Sequence, residues 1–298
     1  MDHFKNIALV ANAHIAQVQH SIELLLPVLL NRGANVLLDE KTAELLGDTQ
    51  TPVLTESDLE ESVDLVIVVG GDGSMLSAGR NLVDHNIPLL GINRGRLGFL
   101  TDILPADIEQ EVTRVLQGKF IESSRFLLEV EIKRKGKLIG SGTALNDIVL
   151  HPGESVRMME FELTIDGKFV YSQRSDGLIV STPTGSTAYA LSGGGPILHP
   201  KLDAIGLVPM NPHTLTSRPI VVSGDSDIEI LVGTRNELHP LVTCDGQNDL
   251  KSLPGDIIHI RKKPQLLSLI HPVDHNFYEI CRSKLGWGSR LDSSREGD

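Results

Sequence analysis

The stretch from Val63 to Leu76, VDLVIVVGGDGSML, constrains the fold more than any other part of the chain. Its apolar run lacks the alternation of a half-exposed strand and is typical of a buried strand in a parallel sheet. Gly70–Gly73, GGDG, follows; glycine tolerates positive φ and lets a ligand approach the bare backbone. Ser74 is then predicted to cap a helix at residues 75–83. A strand, a glycine loop and a helix start together predict an anion-binding site made of backbone N–H groups.

Asp72 places a carboxylate in the middle of this predicted anion site. That combination makes chemical sense if the carboxylate holds a metal or takes a proton, and the alternative is a tight turn in which Asp72 caps the helix. No Gly-Lys-Ser/Thr follows, so the loop is not a Walker A motif, and Leu76 stands where G-x-G-x-x-G needs its third glycine.

Composition limits the classes of protein to consider. The 298 residues suffice for two domains, and 27 basic against 39 acidic residues give a net charge of −12. That charge disfavours nucleic acid and anionic membranes as partners. We expect no signal peptide and no membrane span. Cys244 and Cys281 lie far apart, which favours a reducing compartment, the cytoplasm, without a disulfide framework.

The first 120 residues alternate between strand and helix patterns. This alternation predicts an α/β domain with an open parallel sheet, in which ligands bind at the carboxyl ends of the strands. Gly70–Gly73 and residues 93–98 both fall at such ends. The predicted strands are 6–12, 35–38, 63–69 and 88–92, the predicted helices are 14–32, 41–47 and 105–116, and 49–62 is predicted to be an exposed loop.

Residues 121–270 show almost no helical pattern, and short strands with regular turns predict an all-β sandwich as the second domain. Asp166-Gly167 is a hairpin signal. A helix at 276–285 is expected to pack back on the first domain, which 271–298 would join, and the polar tail 289–298 is predicted to be disordered. The predicted strands are 127–134, 138–150, 160–165, 169–173, 177–181, 219–222, 228–232, 241–244, 256–261 and 266–270.

Four segments of the second domain have the composition of a binding site. Residues 173–196 are too rich in glycine and hydroxyl groups to fill a core, and 184–192 is predicted to be a helix N-terminus suited to a pyrophosphate. Each segment also has a plain structural interpretation. Residues 173–196 would serve as a connector, Asn146-Asp147 as an Asx turn, Arg157 as a solvated strand residue and 243–247 as a turn.

Taken together, four motifs resemble the NAD kinase family over most of the chain. They are GGDGSML at 70–76, GINRGRLGFLTD at 91–102, NDIVLHPG at 146–153 and SDGLIVSTPTGSTAYALSGGGPI at 175–197. Lipid kinases of the diacylglycerol type and phosphofructokinases share the GGDG loop but not the last motif. The resemblance implies transfer of the ATP γ-phosphoryl group to the 2′-hydroxyl of the adenosine ribose of NAD⁺, giving NADP⁺.

The resemblance also implies roles for individual residues. Asp72 would take the proton from the ribose hydroxyl, the glycines would place amides on phosphate, and the Asn-Asp pair would bind adenine and ribose. Arg174 with Asp176 would contact the nicotinamide end, and the adenosine half would be contacted by Thr187, Ala188, Tyr189 and Ser192. The implied substrate-binding residues are Gly70, Gly71, Gly73, Asn146, Asp147, Arg157, Arg174, Asp176, Thr187, Ala188, Tyr189, Ser192 and Gln247.

Cofactor and partners follow from the same comparison. No lysine is near the glycine loop in the sequence, so Mg²⁺ or another divalent metal bound with ATP is expected to neutralise the phosphates. The family implies a homodimer or homotetramer formed through the β domain. Inorganic polyphosphate as donor and NADH as acceptor stay open. Alternation predicts that Arg174 and Asp176 share one face, where the acid would favour cationic NAD⁺ over NADH.

Two other functions are weighed against this one. A lipid or small-polyol kinase would share the GGDG loop, but nothing in the second domain has the pattern of an apolar groove. A non-catalytic sensor of NAD(P) is a different class, and the intact Asp72 speaks against it because binding alone does not require that carboxylate.

Overall fold

The computed structural model describes residues 2–11, 16–47, 50–94, 98–153, 155, 157–237 and 239–288. The chain divides into two compact units. The first comprises Met1–Met75, Ile87–Glu122 and Leu269–Asp298, and the second comprises Leu76–Asn86 and Ser123–Ser268. Leu76–Asn86 therefore groups with the second unit although it lies inside the predicted domain 1–120.

The first unit is built on a parallel sheet. Its strands β1 to β4 lie in the order β2-β1-β3-β4, and Leu269 and Ile270 pair in parallel with Leu89 and Leu90. All six residues of β3 are buried, as predicted from the uninterrupted apolar run. The elements up to residue 116 are β1 Asn6–Ala11, α1 Ala16–Asn31, β2 Asn35–Leu38, α2 Glu40–Leu46, α3 Glu56–Glu61, β3 Leu65–Gly70, α4 Asp72–Leu82, β4 Leu89–Asn93 and α5 Ile108–Leu116.

Helix α3 corrects the prediction of an exposed loop at 49–62. Thr55 Oγ1 accepts a hydrogen bond from the Asp58 amide at 3.2 Å, and Asp58 Oδ2 accepts one from the Thr55 amide at 2.8 Å. This capping box supplies partners for the otherwise unpaired amides of the first turn. None of the residues of α3 is buried, so the helix leaves no apolar periodicity for a sequence pattern to detect.

The second unit is a sandwich of two sheets, as predicted. One contains β16-β13-β8-β9 with β5 and β6, and the other has the order β12-β11-β10-β7-β14-β15. Apolar residues from both sheets form one core around Phe161. The remaining elements are β5 Phe120–Arg134, β6 Lys137–Ala144, β7 Asp147–His151, β8 Met159–Ile165, β9 Lys168–Ser175, β10 Gly177–Ser181, α6 Tyr189–Ser192, β11 Ala204–Met210, β12 Ile220–Ser223, β13 Ile228–Val232, β14 Leu241–Cys244, β15 Asn248–Lys251, β16 Ile257–Pro272 and α7 Phe277–Leu285.

The strand predictions in this unit need three corrections. Strands β11 and β15 were missed, β16 is one strand of 16 residues where two were predicted, and the predicted strand 138–150 is broken between Ala144 and Asp147. β11 pairs on both sides with β10 and β12, so it lies inside its sheet rather than at the edge. The break at Leu145-Asn146 is the more informative difference, because it lies within the candidate site.

Helix α7 belongs to the first unit, as expected for the C-terminal helix. The predicted disorder of 289–298 lies outside the described residues. In the part of the chain that the structure describes, none of the helices has the length and apolar character needed to cross a bilayer.

Candidate active site

The glycine segment connects β3 to α4 more tightly than predicted. The helix begins at Asp72 rather than after Ser74, and the Ser74 and Met75 amides already donate to the Gly71 carbonyl at 3.0 and 3.2 Å. None of the segment's glycines has a positive φ, so the tolerance of glycine for that conformation is not used here. The constraint at Gly70 is steric instead, because a Cβ there would lie 2.3 Å from Ser74 Oγ.

The carboxylate of Asp72 is held by a turn at residues 98–101. The Phe99 amide donates to Oδ2 at 2.9 Å and the Leu100 amide donates to Oδ1 at 3.0 Å. Gly98 lets the turn come this close, because a Cβ there would lie 2.1 Å from Asp72 Oδ1. These bonds fix the plane of the carboxylate and leave acceptor capacity on its oxygens, since each oxygen has two lone pairs.

Asp72 lines a pocket of about 490 Å³ within the first unit. Arg94 and Lys284 bring two cationic side chains to the same pocket, and a Cβ on Gly71 would lie 3.9 Å from Arg94 Nε. Lys284 comes from α7, so a lysine does lie near the glycine segment in space although none does in sequence. The lining residues are Gln17, Gly71, Asp72, Asn93, Arg94, Gly98 and Lys284.

A larger cavity of about 710 Å³ lies in the second unit. It brings together five residues that the sequence predicted from separate segments, and we call it the Asn-Asp cavity. Those five residues are Asn146, Asp147, Asp176, Ala188 and Tyr189. His151, Met210, Thr243 and Asp245 also line it; none was named as a site residue, although Thr243 and Asp245 belong to the segment 243–247 and His151 to the motif 146–153.

The break before β7 is organised by Asp245, which sequence reasoning treated as part of an ordinary turn. Its carboxylate accepts hydrogen bonds from three consecutive amides, those of Leu145, Asn146 and Asp147, at 3.0, 2.7 and 3.2 Å. Arg80 Nη1 donates to the same carboxylate at 2.5 Å, and both side chains are buried. Asp245 therefore sets the backbone from which the Asn-Asp pair projects.

Arg80 also explains the position of Gln247. Its Nη2 donates to Gln247 Oε1 at 2.5 Å, so one guanidinium holds both residues of the turn after β14. Gln247 was predicted to bind substrate, but its side chain serves this contact and is not among the residues that line the Asn-Asp cavity. The sequence signal for Arg80 was its place on the helix that follows GGDG.

Asp147 has an unusual electrostatic setting. Burial raises the pKa of its carboxyl group, and the nearby charge of Asp245 raises it further, to about 7. The Asp245 carboxylate itself is paired with Arg80 and accepts hydrogen bonds from three amides. Near neutral pH, Asp147 is therefore protonated in a large fraction of molecules and acts as a hydrogen-bond donor as well as an acceptor.

His151 belongs to a chain of hydrogen bonds on the wall of the same cavity. The Gly153 amide donates to Nδ1 at 3.2 Å, which assigns the proton to Nε2, and Nε2 donates to Thr243 Oγ1 at 2.8 Å. Thr243 donates in turn to Asp249 Oδ1 at 2.8 Å. Burial lowers the pKa of His151, which favours this neutral tautomer.

The glycine- and hydroxyl-rich segment packs directly on the backbone of Asn146. Thr182 Oγ1 donates to the Leu145 carbonyl at 2.6 Å, and a Cβ on Gly185 would lie 2.1 Å from the Asn146 carbonyl oxygen. The predicted helix N-terminus at 184–192 is confirmed only in part: a 3₁₀ turn at Gly185–Thr187 is followed by the four-residue helix α6. Thr187 Oγ1 donates to the Thr184 carbonyl, and neither Thr187 nor Ser192 lines the Asn-Asp cavity.

Arg174 and Asp176 do not share a face as predicted. β9 ends at Ser175 and β10 begins at Gly177, so Asp176 lies between strands and the alternation does not extend to it. Asp176 accepts a hydrogen bond from Asn211 Nδ2 at 2.9 Å. Arg174 instead lines a separate cavity of about 700 Å³ with Arg157, Arg235 and two glutamates.

Comparisons with known proteins agree over both units. A model described as the ATP-NAD kinase N-terminal domain matches residues 7–120, and one described as the ATP-NAD kinase C-terminal domain matches 145–272. An NAD kinase of Azotobacter vinelandii is 60% identical over 98% of this chain and 99% of its own length. One of Pseudomonas putida is 58% identical over 99% of both chains.

Two solved structures are also similar. The yeast NADH kinase complexed with NADH superposes with a TM-score of 0.85 and 25% identity, covering 97% of this chain and 90% of its own. An NAD kinase from Archaeoglobus fulgidus in complex with ATP gives 0.70 and 26%, covering 95% of this chain and 100% of its own.

Proposed function

The chain belongs to the NAD kinase family, and we propose that it transfers the γ-phosphoryl group of ATP to the 2′-hydroxyl of the adenosine ribose of NAD⁺. The products are NADP⁺ and ADP. The observation that carries the mechanism is the carboxylate of Asp72, which two backbone amides hold in a fixed plane at the edge of a pocket with two cations.

Asp72 acts as the general base in this proposal. A ribose hydroxyl is a poor nucleophile, and a carboxylate within hydrogen-bond reach accepts its proton as the oxygen attacks the γ-phosphorus. The bond between the γ-phosphorus and the bridging oxygen breaks, and ADP leaves with the electron pair. The turn at 98–101 keeps the carboxylate from rotating away from that direction.

The donor phosphates bind in the 490 Å³ pocket, where Gly71 offers its backbone and Arg94 and Lys284 offer positive charge. A divalent metal that arrives with ATP fits this pocket. Mg²⁺ commonly takes one or two carboxylates together with phosphates and water, and Asp72 supplies a carboxylate with spare acceptor capacity. The bound metal would neutralise charge on the transferring phosphoryl group.

The dinucleotide binds in the Asn-Asp cavity. A protonated Asp147 donates to a ring nitrogen of adenine or accepts from its amino group, Asn146 contacts the ribose, and Tyr189 with Ala188 forms a wall. Asp176 faces the nicotinamide end. The cavity's volume suits a nucleotide, and the yeast relative was solved with NADH.

The arginines of the third cavity, Arg157 and Arg174, act in this proposal at a site shared between subunits of a homodimer or homotetramer. Support comes from the edge strand β9, where Phe169 and Val170 are exposed apolar residues in the β-sandwich. Both cysteines are free thiols, which fits a reducing cytoplasm. Competition between substrates determines whether polyphosphate can replace ATP as donor and whether NADH can replace NAD⁺ as acceptor.

The experiment combines purified protein, ATP, Mg²⁺ and NAD⁺ with an NADP-specific dehydrogenase that reports NADP⁺. Wild type should turn over, and Asp72→Asn should lose roughly two or more orders of magnitude in kcat while keeping its affinity for NAD⁺. Turnover with diacylglycerol but not NAD⁺ would favour the lipid kinase. NAD(P) binding without turnover of any acceptor would favour a sensor.

A further inference from the structure

A buried cluster of one carboxylate and two imidazoles lies in the first unit. Asp102 Oδ2 is 2.5 Å from His271 Nδ1 and 2.8 Å from His275 Nδ1. The two rings are stacked, with centroids 4.0 Å apart and planes inclined by 27°. The other oxygen, Oδ1, is buried without a hydrogen-bond partner in the part of the chain that the structure describes. Among the described residues, the two histidines thus supply the hydrogen bonds to the Asp102 carboxylate.

The spacing identifies the cluster as hydrogen bonds rather than a metal site. Ligand atoms about 2.0–2.1 Å from one tetrahedral zinc ion lie roughly 3.3 Å apart. Both nitrogen–oxygen separations here are shorter than that; the His275 distance is typical of an N–H···O bond to a charged acceptor, and the His271 contact is shorter still. Burial alone would raise the pKa of Asp102, but the bonds from His271 and His275 outweigh it and hold the pKa at about 2.

The cluster adjoins the turn that holds the general base. Asp102 directly follows Thr101, the last residue of the turn whose amides bind Asp72. The neighbouring residue Thr101 is held by Asn93, whose Nδ2 donates to Thr101 Oγ1 at 2.6 Å. The C-terminal end of the turn therefore has two adjacent attachments, one from Asn93 to Thr101 and one from the histidines to Asp102.

The same cluster sets the start of α7. The His275 amide donates to the Pro272 carbonyl at 3.0 Å, and the next residue, Asn276, caps α7 by accepting from the Tyr278 amide at 3.0 Å. Helix α7 carries Lys284 into the pocket with Asp72. One carboxylate thus ties the turn that orients the base to the helix that supplies a cation.

We propose that Asp102, His271 and His275 are positioning residues for phosphoryl transfer, acting through the 98–101 turn on Asp72 and through α7 on Lys284. The inference rests on the proposed function for its kinetic consequence. Because the Asn-Asp cavity is built from other segments, loosening the cluster should lower kcat and leave the KM for NAD⁺ nearly unchanged.

The test uses two substitutions of one residue in the full-length enzyme. His275→Phe keeps a stacked ring and removes the donor, whereas His275→Asn loses the ring but presents an amide N–H close to the former Nδ1. We expect kcat to fall about tenfold in His275→Phe and to recover most of this loss in His275→Asn. In an Asp72→Asn background, His275→Phe should have a smaller further effect than in wild type, because the part that acts through the base is already lost and only the part through Lys284 remains.

Arg134→Met is the matched control, since it removes a half-buried ion pair with Asp256 in the second unit, outside the proposed machinery. It should lower the melting temperature and leave kcat unchanged. A readout independent of turnover is hydrogen exchange at the Phe99 and Leu100 amides, which should accelerate in His275→Phe and not in Arg134→Met.

The outcomes separate this proposal from the proposed function. If the wild-type enzyme forms no NADP⁺, the proposed function is contradicted. Amide exchange at Phe99 and Leu100 still tests whether the cluster positions the turn. Folded His275→Phe with wild-type kcat and wild-type exchange at both amides overturns the positioning role. If His275→Phe does not fold, Asp102→Asn keeps the shape and removes the charge, and the same measurements on that variant support or overturn the role by the same criteria.

Discussion

Arg80 and Asp245 form a buried ion pair, Nη1 to Oδ2 at 2.5 Å, between residues 165 positions apart in the chain. The pair does more than neutralise two charges, because Asp245 also receives the amides of residues 145–147. Those amides lie at the break before β7, where Asp147 is also paired with Ser181 of β10. The ion pair therefore holds the carboxylate that fixes this break, and Asn146 and Asp147 line the cavity.

Removing Arg80 should damage both stability and dinucleotide binding. Arg80→Met leaves the Asp245 carboxylate buried without its charged partner, so the free energy of unfolding should fall by about 3–5 kcal/mol. The KM for NAD⁺ should rise in molecules that stay folded. Chemical denaturation and steady-state kinetics measure the two effects. Lys133→Met, which breaks a partly exposed pair with Glu131, is the control and should cost at most about 1 kcal/mol.

Binding of NAD⁺ should weaken as pH rises through about 7. Below that value Asp147 carries a proton and donates to the dinucleotide, and above it the carboxylate faces Asp245 as a like charge. The KM for NAD⁺, measured from pH 6 to 8.5, should rise with a midpoint near 7 in wild type. Asp147→Asn mimics the protonated state and should flatten the curve. A wild-type midpoint that persists in Asp147→Asn would assign the titration to another group.

Asp102 should make the fold sensitive to acid in a defined window. Its pKa is about 2 in the native state against an ordinary 3.8, so the native state binds the proton less readily than the unfolded chain. The resulting stabilisation, roughly 2 kcal/mol, is present above pH 4 and is lost as pH falls through 2. The difference in unfolding free energy between wild type and Asp102→Asn should therefore shrink between pH 5 and 2. A constant difference would contradict the linkage.

Lys284 should affect ATP more than NAD⁺. Lys284→Met removes one cation from the pocket of Asp72, and we expect the KM for ATP to rise on the order of tenfold, the effect of about 1.4 kcal/mol. The KM for NAD⁺ should change less than twofold. Lys284→Arg keeps the charge, so its KM for ATP should lie between that of wild type and that of Lys284→Met. An equal rise in both KM values would indicate that α7 is structural and does not contact the donor.

Much of the fold could be predicted because burial leaves a periodic signal. The apolar run at β3 and the hairpin turn Asp166-Gly167, whose residues have φ of 50° and 72°, specify local structure strongly. Helix α3 was not predicted because none of its residues is buried and its N-terminus is stabilised by one capping box. The helix start at Asp72 was not predicted because glycines near a helix suggest a loop. Here the glycines instead make room for close contacts.

The site was predicted from individual sequence segments. The prediction missed the contacts between residues that are distant in the sequence. Arg80, Asp245 and Lys284 each look like ordinary surface charges beside their chain neighbours. Their roles arise from contacts that no local pattern encodes, such as three consecutive amides converging on one carboxylate. The prediction that Arg174 and Asp176 share one face is wrong for the opposite reason, because it extended a local pattern too far: strand alternation was applied one residue past the end of β9.

The first unit is completed by the last part of the chain, and this affects its synthesis on the ribosome. The partner of Asp102, His271, is synthesised 169 residues later, and Leu269 and Ile270, which pair with β4, directly precede His271 in the chain. At about 5–20 residues per second, the delay is roughly 10–30 s. During that interval the Asp102 carboxylate lacks both imidazoles, and the β4 edge that will receive Leu269 is unpaired. This edge of β4 therefore stays open to pairing with other strands until the C-terminal segment emerges.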